Sequence, residues 1–363
     1  GSGDDWARAM AIQNDGKMIV AGYSSNGTND DFALVRYNTD GSLDTTFGTT
    51  GKVTTAFGVS TDQAYAITVQ PDGKIVVVGN SVISGNQDFA IARYNADGTL
   101  DTSFSSDGLL SIDFSASIDT VQSVLMQADG KLIVGGISGS SFALVRINTD
   151  GSLDTSFGSS GKVTTSTGSA GYGMALQTDG KIVLAGTNNG DFAVVRYNAN
   201  GTVDSGFGTS GMVTTDFAGG YDNARSVIVQ SDGKILVGGY GNNGSNLDFA
   251  LVRYNSDGTL DTSFSGDGKL LTDLSGTNDI AVNMAQQVDG KIILAGYDGI
   301  FRTALVRYNS DGSVDTSFGT SGVVTTSLGS ASFAEEIVVR SSGEIVVATT
   351  TTQTNKDFAV ISY

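Results

Sequence analysis

Hydrophobic and polar residues alternate along this chain in short stretches, and glycine, aspartate and asparagine separate one stretch from the next. The plainest example runs from Ala64 to Gln70, continues through a turn at 71–73, and ends in the apolar run from Lys74 to Gly79. The stretches are rich in Val, Ile, Thr, Phe and Tyr, which favour β-strands. No 3.6-residue period is long enough for a helix. The pattern predicts an all-β protein.

Three blocks repeat in a fixed order from one end of the chain to the other. The first ends in a glutamine that returns after 57, 57, 50, 53, 57 and 53 residues: Gln13, Gln70, Gln127, Gln177, Gln230 and Gln287, with Arg340 in the seventh place. The second reads Asp-Phe-Ala-Leu-Val-Arg-Tyr-Asn at 31–38, with a close copy at 88–95. The third reads Asp-Gly-Ser-Leu-Asp-Thr-Ser-Phe-Gly and then Gly-Lys-Val-Thr-Thr, and it occurs six times. Such repetition is typical of repeat architectures.

Each repeat therefore contains four short β-type runs, and seven such units predict a seven-bladed β-propeller of four-stranded antiparallel blades. The Asp-Gly pair after the first run, as at 15–16 and 72–73, predicts a two-residue hairpin in each blade. The first run has small residues at alternate positions, which favours an innermost strand. The polar Lys-Val-Thr-Thr run favours the outer edge.

On this assignment the chain ends after the third strand of the seventh blade, so we expect the last blade to lack its outer strand. We also expect the natural protein to continue beyond Tyr363, because the third block regularly follows the second. The whole chain, 1–363, is interpreted as one propeller domain. The predicted blades are 4–58, 59–114, 115–167, 168–217, 218–274, 275–328 and 329–363.

Taken together, the Gln-x-Asp-Gly-Lys-Ile turn, the Phe-Ala-Leu-Val-Arg-Tyr-Asn strand and the Asp-Gly-x-Leu-Asp-x-Ser-Phe-Gly connection resemble the delta-60 repeat. That repeat forms β-propellers of unknown function in large, mostly bacterial, secreted or surface proteins. The resemblance covers essentially the whole chain. It implies a propeller at an extracellular or bacterial cell-surface location, as a domain of a larger chain, and it implies no catalytic residues.

Composition removes several classes of function. The chain has 38 acidic and 20 basic residues and a net charge of −18, which gives it no electrostatic basis for binding nucleic acid. It has no Cys and no His, which excludes disulfides, thiolate nucleophiles, a Ser-His-Asp triad and ordinary zinc sites. No apolar run reaches the length of a membrane span, so no membrane insertion is expected. We expect a monomer that needs no cofactor.

One loop resembles part of a calcium site. Asn38, Asp40 and Asp44 place oxygen ligands around Gly41, as the later half of a calcium loop does. The first ligand position, however, is occupied by Arg36, and a guanidinium there repels a cation. Our interpretation is that Arg36 replaces the metal by pairing with Asp44. Calcium binding is the alternative.

The positions at which the repeats differ are the candidate binding residues. They lie five or seven residues before the block-ending glutamine, or in the loop between the second and third strands, and should ring one mouth of the central channel. The candidates are Trp6, Arg8, Tyr23, Tyr65, Gln122, Tyr172, Arg225, Tyr240, Tyr297 and Glu335. Aromatic residues and arginine often anchor interfaces, and variation on a rigid scaffold indicates a binding surface. The alternative is that these positions vary because nothing constrains them.

Three functions remain open. We expect a non-catalytic binding or adhesion module for a protein or a glycan. A structural spacer without a specific ligand is the alternative, and a carbohydrate-active enzyme is a more distant one. The three glutamates all lie in the divergent seventh repeat, and no pair of carboxylates is indicated as an acid and a base.

Overall fold

The computed structural model describes residues 3–115, 118–166 and 170–363, and every regular element within these ranges is a β-strand. The strands form seven sheets, of which six have four strands and the last has three. The protein is a seven-bladed β-propeller with four-stranded antiparallel blades. The predicted fold class is therefore confirmed, including the absence of an outer strand from the last blade. The described residues contain no helix that is long and apolar enough to cross a membrane.

The strands follow one another in each blade from the innermost to the outermost. Blades one to three contain β1 (Asp5–Ile12), β2 (Met18–Ser25), β3 (Asp30–Tyr37), β4 (Lys52–Thr55), β5 (Asp62–Val69), β6 (Ile75–Ile83), β7 (Asn86–Tyr94), β8 (Leu109–Ile112), β9 (Asp119–Met126), β10 (Leu132–Ser138), β11 (Ser141–Ile147) and β12 (Lys162–Ser166). Blades four and five contain β13 (Gly171–Leu176), β14 (Ile182–Asn188), β15 (Asp191–Tyr197), β16 (Met212–Thr215), β17 (Asn223–Val229), β18 (Ile235–Asn242), β19 (Leu247–Tyr254) and β20 (Lys269–Thr272). Blades six and seven contain β21 (Ile280–Gln286), β22 (Ile292–Tyr297), β23 (Thr303–Tyr308), β24 (Val323–Thr326), β25 (Ala331–Val339), β26 (Ile345–Thr352) and β27 (Lys356–Ser362).

The chain divides into two compact units, which are described separately below. Unit 1 comprises the described residues of Gly1–Ser166 together with Thr354–Val360, and unit 2 those of Thr167–Gln353 together with Ile361–Tyr363. The single-domain assignment and the blade limits stay predictions. The limit between the third and fourth blades, at 167 and 168, lies outside the described residues.

Within each unit the first strands of neighbouring blades contact one another, as β1, β5 and β9 do in unit 1, so the innermost position predicted for the first run is confirmed. The apolar core lies between adjacent sheets. Val78 and Phe89 of the second blade pack with Val121 and Val134 of the third, and all four are fully buried. The central strands are apolar on both faces because both faces are covered.

The hairpin between the first two strands differs from the two-residue turn that the sequence predicts. Gln13 N–H donates to the Lys17 carbonyl and Gly16 N–H donates to the Gln13 carbonyl, which leaves a three-residue loop. Only Gly16 has a positive φ, of 83°, whereas a two-residue turn of the predicted type needs two such residues. The Asp15 carboxylate accepts from Lys17 N–H and holds the turn in its observed form.

A repeated interaction, which we call the arginine clasp, joins the third strand of six blades to the loop that follows it, and in at least four of them the same arginine also bonds to the next blade. In the second blade Arg93 Nε donates to Asp101 at 2.7 Å, and the guanidinium lies 4.6 Å from the centre of the buried Phe104 ring. Arg93 Nη1 donates to the Thr149 carbonyl of the third blade at 2.6 Å. Lys74 also reaches the Asp101 carboxylate, at 3.0 Å. The clasp thus combines a nearly buried ion pair, a cation–π contact and an inter-blade hydrogen bond.

The Arg–Asp pair recurs in six blades and confirms the predicted structural pairing. The pairs are Arg36–Asp44, Arg93–Asp101, Arg146–Asp154, Arg196–Asp204, Arg253–Asp261 and Arg307–Asp315. The bond from Nη1 to the next blade is present for Arg36, Arg93, Arg196 and Arg253. Burial acts to raise the pKa of the Asp101 carboxyl, but hydrogen bonds from Ser103 and Lys74 and the Arg93 charge outweigh it and hold this pKa well below its usual range.

We predict that Asp101→Asn lowers the free energy of unfolding by about 3 kcal/mol, because Arg93 then stays buried without its carboxylate partner. Urea unfolding followed by circular dichroism measures the change. The control is Asp97→Asn, since Asn200 occupies the equivalent turn position in the fourth blade and makes the same bond to the following threonine. This control should change stability by less than about 0.5 kcal/mol. Equal losses in the two variants would contradict the clasp.

Candidate functional site

The innermost strand of every blade contains a β-bulge. One residue in each of these strands is skipped in the pairing with the second strand: Arg8, Tyr65, Gln122, Tyr172, Arg225, Val282 and Glu335. These residues are the position at which the sequence repeats differ most in chemistry, five residues before the block-ending glutamine. A bulge redirects a side chain and interrupts pairing, and bulges are common beside functional sites. In every blade, therefore, the most variable residue of the repeat is the one left out of the strand pairing.

A glycine on the second strand makes room for each bulge in six blades. A Cβ at Gly79 would lie 2.0 Å from the Gln63 carbonyl oxygen, and the equivalent glycines have similar clashes: Gly22, Gly136, Gly186, Gly239 and Gly296. The seventh blade has Thr349 at this position, opposite Ala334, and its hydroxyl donates to the Phe333 carbonyl. The glycine is therefore the residue in the repeat that accommodates the bulge.

In unit 1 the candidate residues form what we call the tryptophan cluster: Trp6, Arg8, Tyr23, Tyr65 and Lys356. The Arg8 guanidinium lies 4.9 Å from the Trp6 ring centre and donates to the Tyr23 hydroxyl at 3.0 Å. Trp6 stacks on Tyr23, and Tyr23 packs against Tyr65. Lys356 places its ammonium 3.6 Å from the Trp6 ring centre. One face of the tryptophan is therefore already covered by a cation of the chain itself.

In unit 2 they form what we call the tyrosine cluster: Tyr172, Tyr221, Arg225 and Tyr240. The Arg225 guanidinium lies 4.4 Å from the Tyr172 ring centre and 5.8 Å from that of Tyr240. Tyr221, which is 51% exposed, packs against the buried Tyr240. Burial raises the pKa of the Tyr240 hydroxyl, and the neighbouring Arg225 charge opposes that rise. The cluster is a cation held between aromatic rings at the protein surface.

The loop from Asp298 to Arg302, which joins β22 and β23 of the next blade, exposes apolar side chains. Ile300 and Phe301 are 62% and 52% exposed. The Phe301 ring packs against Tyr297 and Phe333, with centres 6.5 and 5.7 Å apart. The loop follows Tyr297 in the sixth blade, whose innermost strand β21 contacts β17 and β18 of the fifth blade.

Phe301 has a φ of 63°, a left-handed conformation that non-glycine residues rarely adopt. The buried Asp298 carboxylate accepts from the backbone and side chain of Arg302, and Ser332 N–H donates to the Phe301 carbonyl. These bonds hold the strained residue in place. Strain of this kind is concentrated at ligand-binding sites.

Seven of the ten predicted residues lie in the tryptophan and tyrosine clusters, and Tyr297 packs against Phe301. The other two, Gln122 and Glu335, are half-buried bulge residues. The predicted ring around one channel mouth stays a prediction. Tyr221 and Phe301 were missed because they lie in loops whose length differs between repeats, so that no repeat position marks them. Their aromatic character in otherwise polar loops is the signal that could have found them.

The predicted calcium loop is held by its own side chains. The Asp40 carboxylate accepts from the backbone and hydroxyl of Ser42, and Asn38 donates to the same hydroxyl. Asp44 accepts from Arg36 at 2.7 Å and Lys17 at 2.8 Å. Two positively charged side chains of the protein thus form ion pairs with one carboxylate of the loop. Calcium at Asn38, Asp40 and Asp44 stays an untested alternative.

Three groups of three aspartates offer oxygen atoms within 4.8 Å of one another: Asp88, Asp113 and Asp119; Asp191, Asp216 and Asp222; Asp248, Asp273 and Asp279. Such oxygen sets suit hard cations. Lysines lie beside two of the groups. Lys162 donates to the Asp113 carbonyl at 2.5 Å, and Lys269 to the Asp216 carbonyl at 2.6 Å. Burial raises the pKa of Asp88 and Asp119, and repulsion from Asp113 adds to the rise for both.

A series of hydrogen-bonded polar side chains connects three innermost strands of unit 2. The Ser226 hydroxyl donates to Asn283 Oδ1 at 3.2 Å, and Asn283 Nδ2 donates to Glu336 at 2.8 Å. Removal from water raises the pKa of Glu336 to about 8. The carboxyl group is therefore largely protonated near neutral pH.

A family model described as a domain of unknown function (DUF5122) beta-propeller matches six segments of the chain: 13–47, 70–104, 127–157, 177–207, 230–264 and 287–318. Together these segments make up more than half of the residues. Each begins at a block-ending glutamine and ends at or near the phenylalanine under the clasp arginine. A comparison with curated proteins gave no match.

Several solved structures share the fold at low sequence identity. A streptogramin B lyase matches with a TM-score of 0.60 and 10% identity, over 99% of this chain and 94% of the other. An ulvan lyase, which is a polysaccharide lyase, has a TM-score of 0.54 and 10% identity over 99% and 93%. Sqt1 from Chaetomium thermophilum, bound to the N-terminus of ribosomal protein L10, has a TM-score of 0.53 and 13% identity over 94% of both chains. These similarities establish the fold alone.

We predict that Glu336→Gln raises the melting temperature by several degrees at pH 8 and changes it little at pH 5. Between an unfolded pKa of about 4.5 and the folded value of about 8, the folded state holds a proton that the unfolded state releases. The contribution of this group to the free energy of unfolding is therefore most favourable below pH 4.5, and it falls as the pH rises through the folded pKa of about 8. Glutamine keeps the acceptor for Asn283 and removes the titration. Equal shifts at pH 5 and pH 8, measured by differential scanning calorimetry, would rule out the raised pKa.

Proposed function

The chain belongs to the DUF5122 beta-propeller family, and we propose that it is a non-catalytic binding module whose ligand contacts the tyrosine cluster and the Phe301 loop. The observation that carries this proposal is the bulge. The ion pairs, turns and core repeat from blade to blade. One bulged residue in each blade is left out of the strand pairing, and that residue differs between blades. Binding residues are commonly variable positions on a rigid frame.

The composition of the tyrosine cluster supports binding. Tyrosine, phenylalanine and arginine are enriched among residues that contribute most to binding energy. Tyr221, Ile300 and Phe301 expose large apolar surface, and exposed apolar patches often mark interaction sites. The tryptophan cluster has the same residue types but has Lys356 over its tryptophan. We therefore assign the tyrosine cluster as the principal site.

The setting and ligand of the module are part of the proposal. The resemblance to the delta-60 repeat favours a secreted or surface-attached protein of bacterial type, with the propeller acting as a monomeric domain that needs no cofactor. The partner is a protein or a glycan. Propellers of this fold include a protein bound to a ribosomal-protein N-terminus and a polysaccharide lyase, so the fold by itself does not select between the two.

We predict that Tyr172→Ala and Phe301→Ala each weaken binding to the ligand found on protein and glycan arrays by about tenfold or more, because each removes an aromatic contact. Biolayer interferometry measures the dissociation constants. Val288→Ser is the matched control, since Val288 is fully exposed in the turn at the other end of the strands and should leave binding unchanged.

Three outcomes would contradict the proposal. The absence of any ligand at micromolar concentration across both arrays would favour a structural spacer. Conversion of a polysaccharide panel, seen as new reducing ends or unsaturated products, would favour a carbohydrate-active enzyme. Binding that is unchanged by both aromatic substitutions would place the site elsewhere on the chain.

A further inference from the structure

Arg225 differs from most arginines of the chain in having no carboxylate partner. Eight other arginines form ion pairs with aspartate or glutamate: Arg36, Arg93, Arg146, Arg196, Arg253, Arg302, Arg307 and Arg340. Among the described residues Arg225 forms no ion pair, and its buried Nε has no hydrogen-bond acceptor. In a chain of net charge −18, a guanidinium without a counter-charge is the exception.

The nearest acid along the chain is turned away from Arg225. Asp222 is fully buried, and its two carboxylate oxygens accept from Asn242 N–H at 2.7 Å and Phe217 N–H at 3.0 Å. The groups that face Arg225 are aromatic instead, namely Tyr172 and Tyr240. Ring faces orient a guanidinium but leave its N–H donors in the plane unsatisfied. Those donors form a planar fork that matches a carboxylate.

The neighbouring sixth blade exposes an apolar surface at the same end of its strands. The loop that contains Ile300 and Phe301 holds its aromatic residue outward in a strained conformation, supported by Asp298 and Ser332. A ligand that satisfies Arg225 can therefore also bury an apolar group on Phe301. Desolvation of this kind strengthens an ion pair formed at the edge of the patch.

The charge of the chain limits how many anionic groups the ligand carries. A net charge of −18 repels a polyanion at long range. An acidic polysaccharide carries such a charge along its whole length, whereas a peptide can present one carboxylate among neutral or basic residues. The single unpaired guanidinium beside an apolar surface fits the peptide better.

We infer that the tyrosine cluster binds a peptide segment through one carboxylate, held by Arg225, with an apolar side chain of the same segment packed on Phe301. This inference rests on the proposed binding function and specifies its ligand. The carboxylate belongs to an aspartate or glutamate side chain or to a peptide C-terminus, which share the same chemistry.

A random heptapeptide display library, selected on the full chain, tests the inference. We expect the selected peptides to carry a carboxylate within two residues of an aromatic or large aliphatic residue. Synthetic copies are then compared with versions in which the acidic residue is replaced by its amide, or the C-terminus is amidated, and the two versions identify which carboxylate binds. Fluorescence anisotropy should show about a tenfold or greater loss of affinity for the version that lacks the binding carboxylate.

Arg225→Gln should cause a similar loss, and Arg225→Lys a smaller one. The losses from Arg225→Gln and from removal of the peptide carboxylate should not add, because both remove the same interaction. Val288→Ser is again the control, and melting temperatures report whether each variant is folded. If Arg225→Gln does not fold, the amide versions of the peptide with wild-type protein still decide the question.

The outcomes separate this inference from the proposed function. Peptides that bind equally well without a carboxylate, or binding that Tyr172→Ala weakens and Arg225→Gln does not, would overturn the inference and leave the binding function standing. Binding of oligogalacturonate in place of any peptide would overturn it in favour of an acidic glycan. The absence of any ligand from the library and from both arrays would overturn both.

Discussion

The arginine clasp is the interaction on which the rest of the structure depends. A strand in a propeller blade contacts its own sheet and the neighbouring sheets, so the seven units need a specific connection as well as an apolar core. Arg93 provides it by bonding Asp101 within its blade and the Thr149 carbonyl in the next, above the buried ring of Phe104. A buried ion pair by itself adds little net stability, but its directional bonds define one geometry. Here that geometry is the spacing and angle between blades.

The clasp and the bulges lie at opposite ends of the strands, and this separation divides scaffold from site. At one end six of the seven blades use the same arginine, aspartate and phenylalanine, so substitution there is costly. At the other end a glycine such as Gly79 leaves space for the bulge, and the bulged residue takes no part in the ladder. Its side chain can change without breaking a backbone hydrogen bond. Chemical diversity in Tyr172, Arg225 and their equivalents is therefore tolerated by the same fold.

Much of the fold could be predicted from the sequence because the first three strands recur seven times, and the fourth six times, in the same order. The Arg36–Asp44 pairing could be predicted because an arginine occupies the position of a metal ligand. The hairpin type could not be predicted from the Asp-Gly pair alone, since the same residues suit more than one turn and the bond from Lys17 N–H to Asp15 decides between them. The bulges could not be predicted from the sequence because the residue skipped in the pairing can be of any type. Tyr221 and Phe301 were hidden by differences in loop length.

Hydrogen–deuterium exchange of Arg253→Met against the wild type tests most directly whether the clasp joins neighbouring blades. Arg253 donates to Asp261 in its own blade and to the Ser310 carbonyl in the next. The account predicts faster exchange both at 255–261 and at 309–315 in the next blade, while the bulged strand β17 keeps its protection. Faster exchange confined to 255–261 would contradict the account, because the arginine would then stabilise only its own loop.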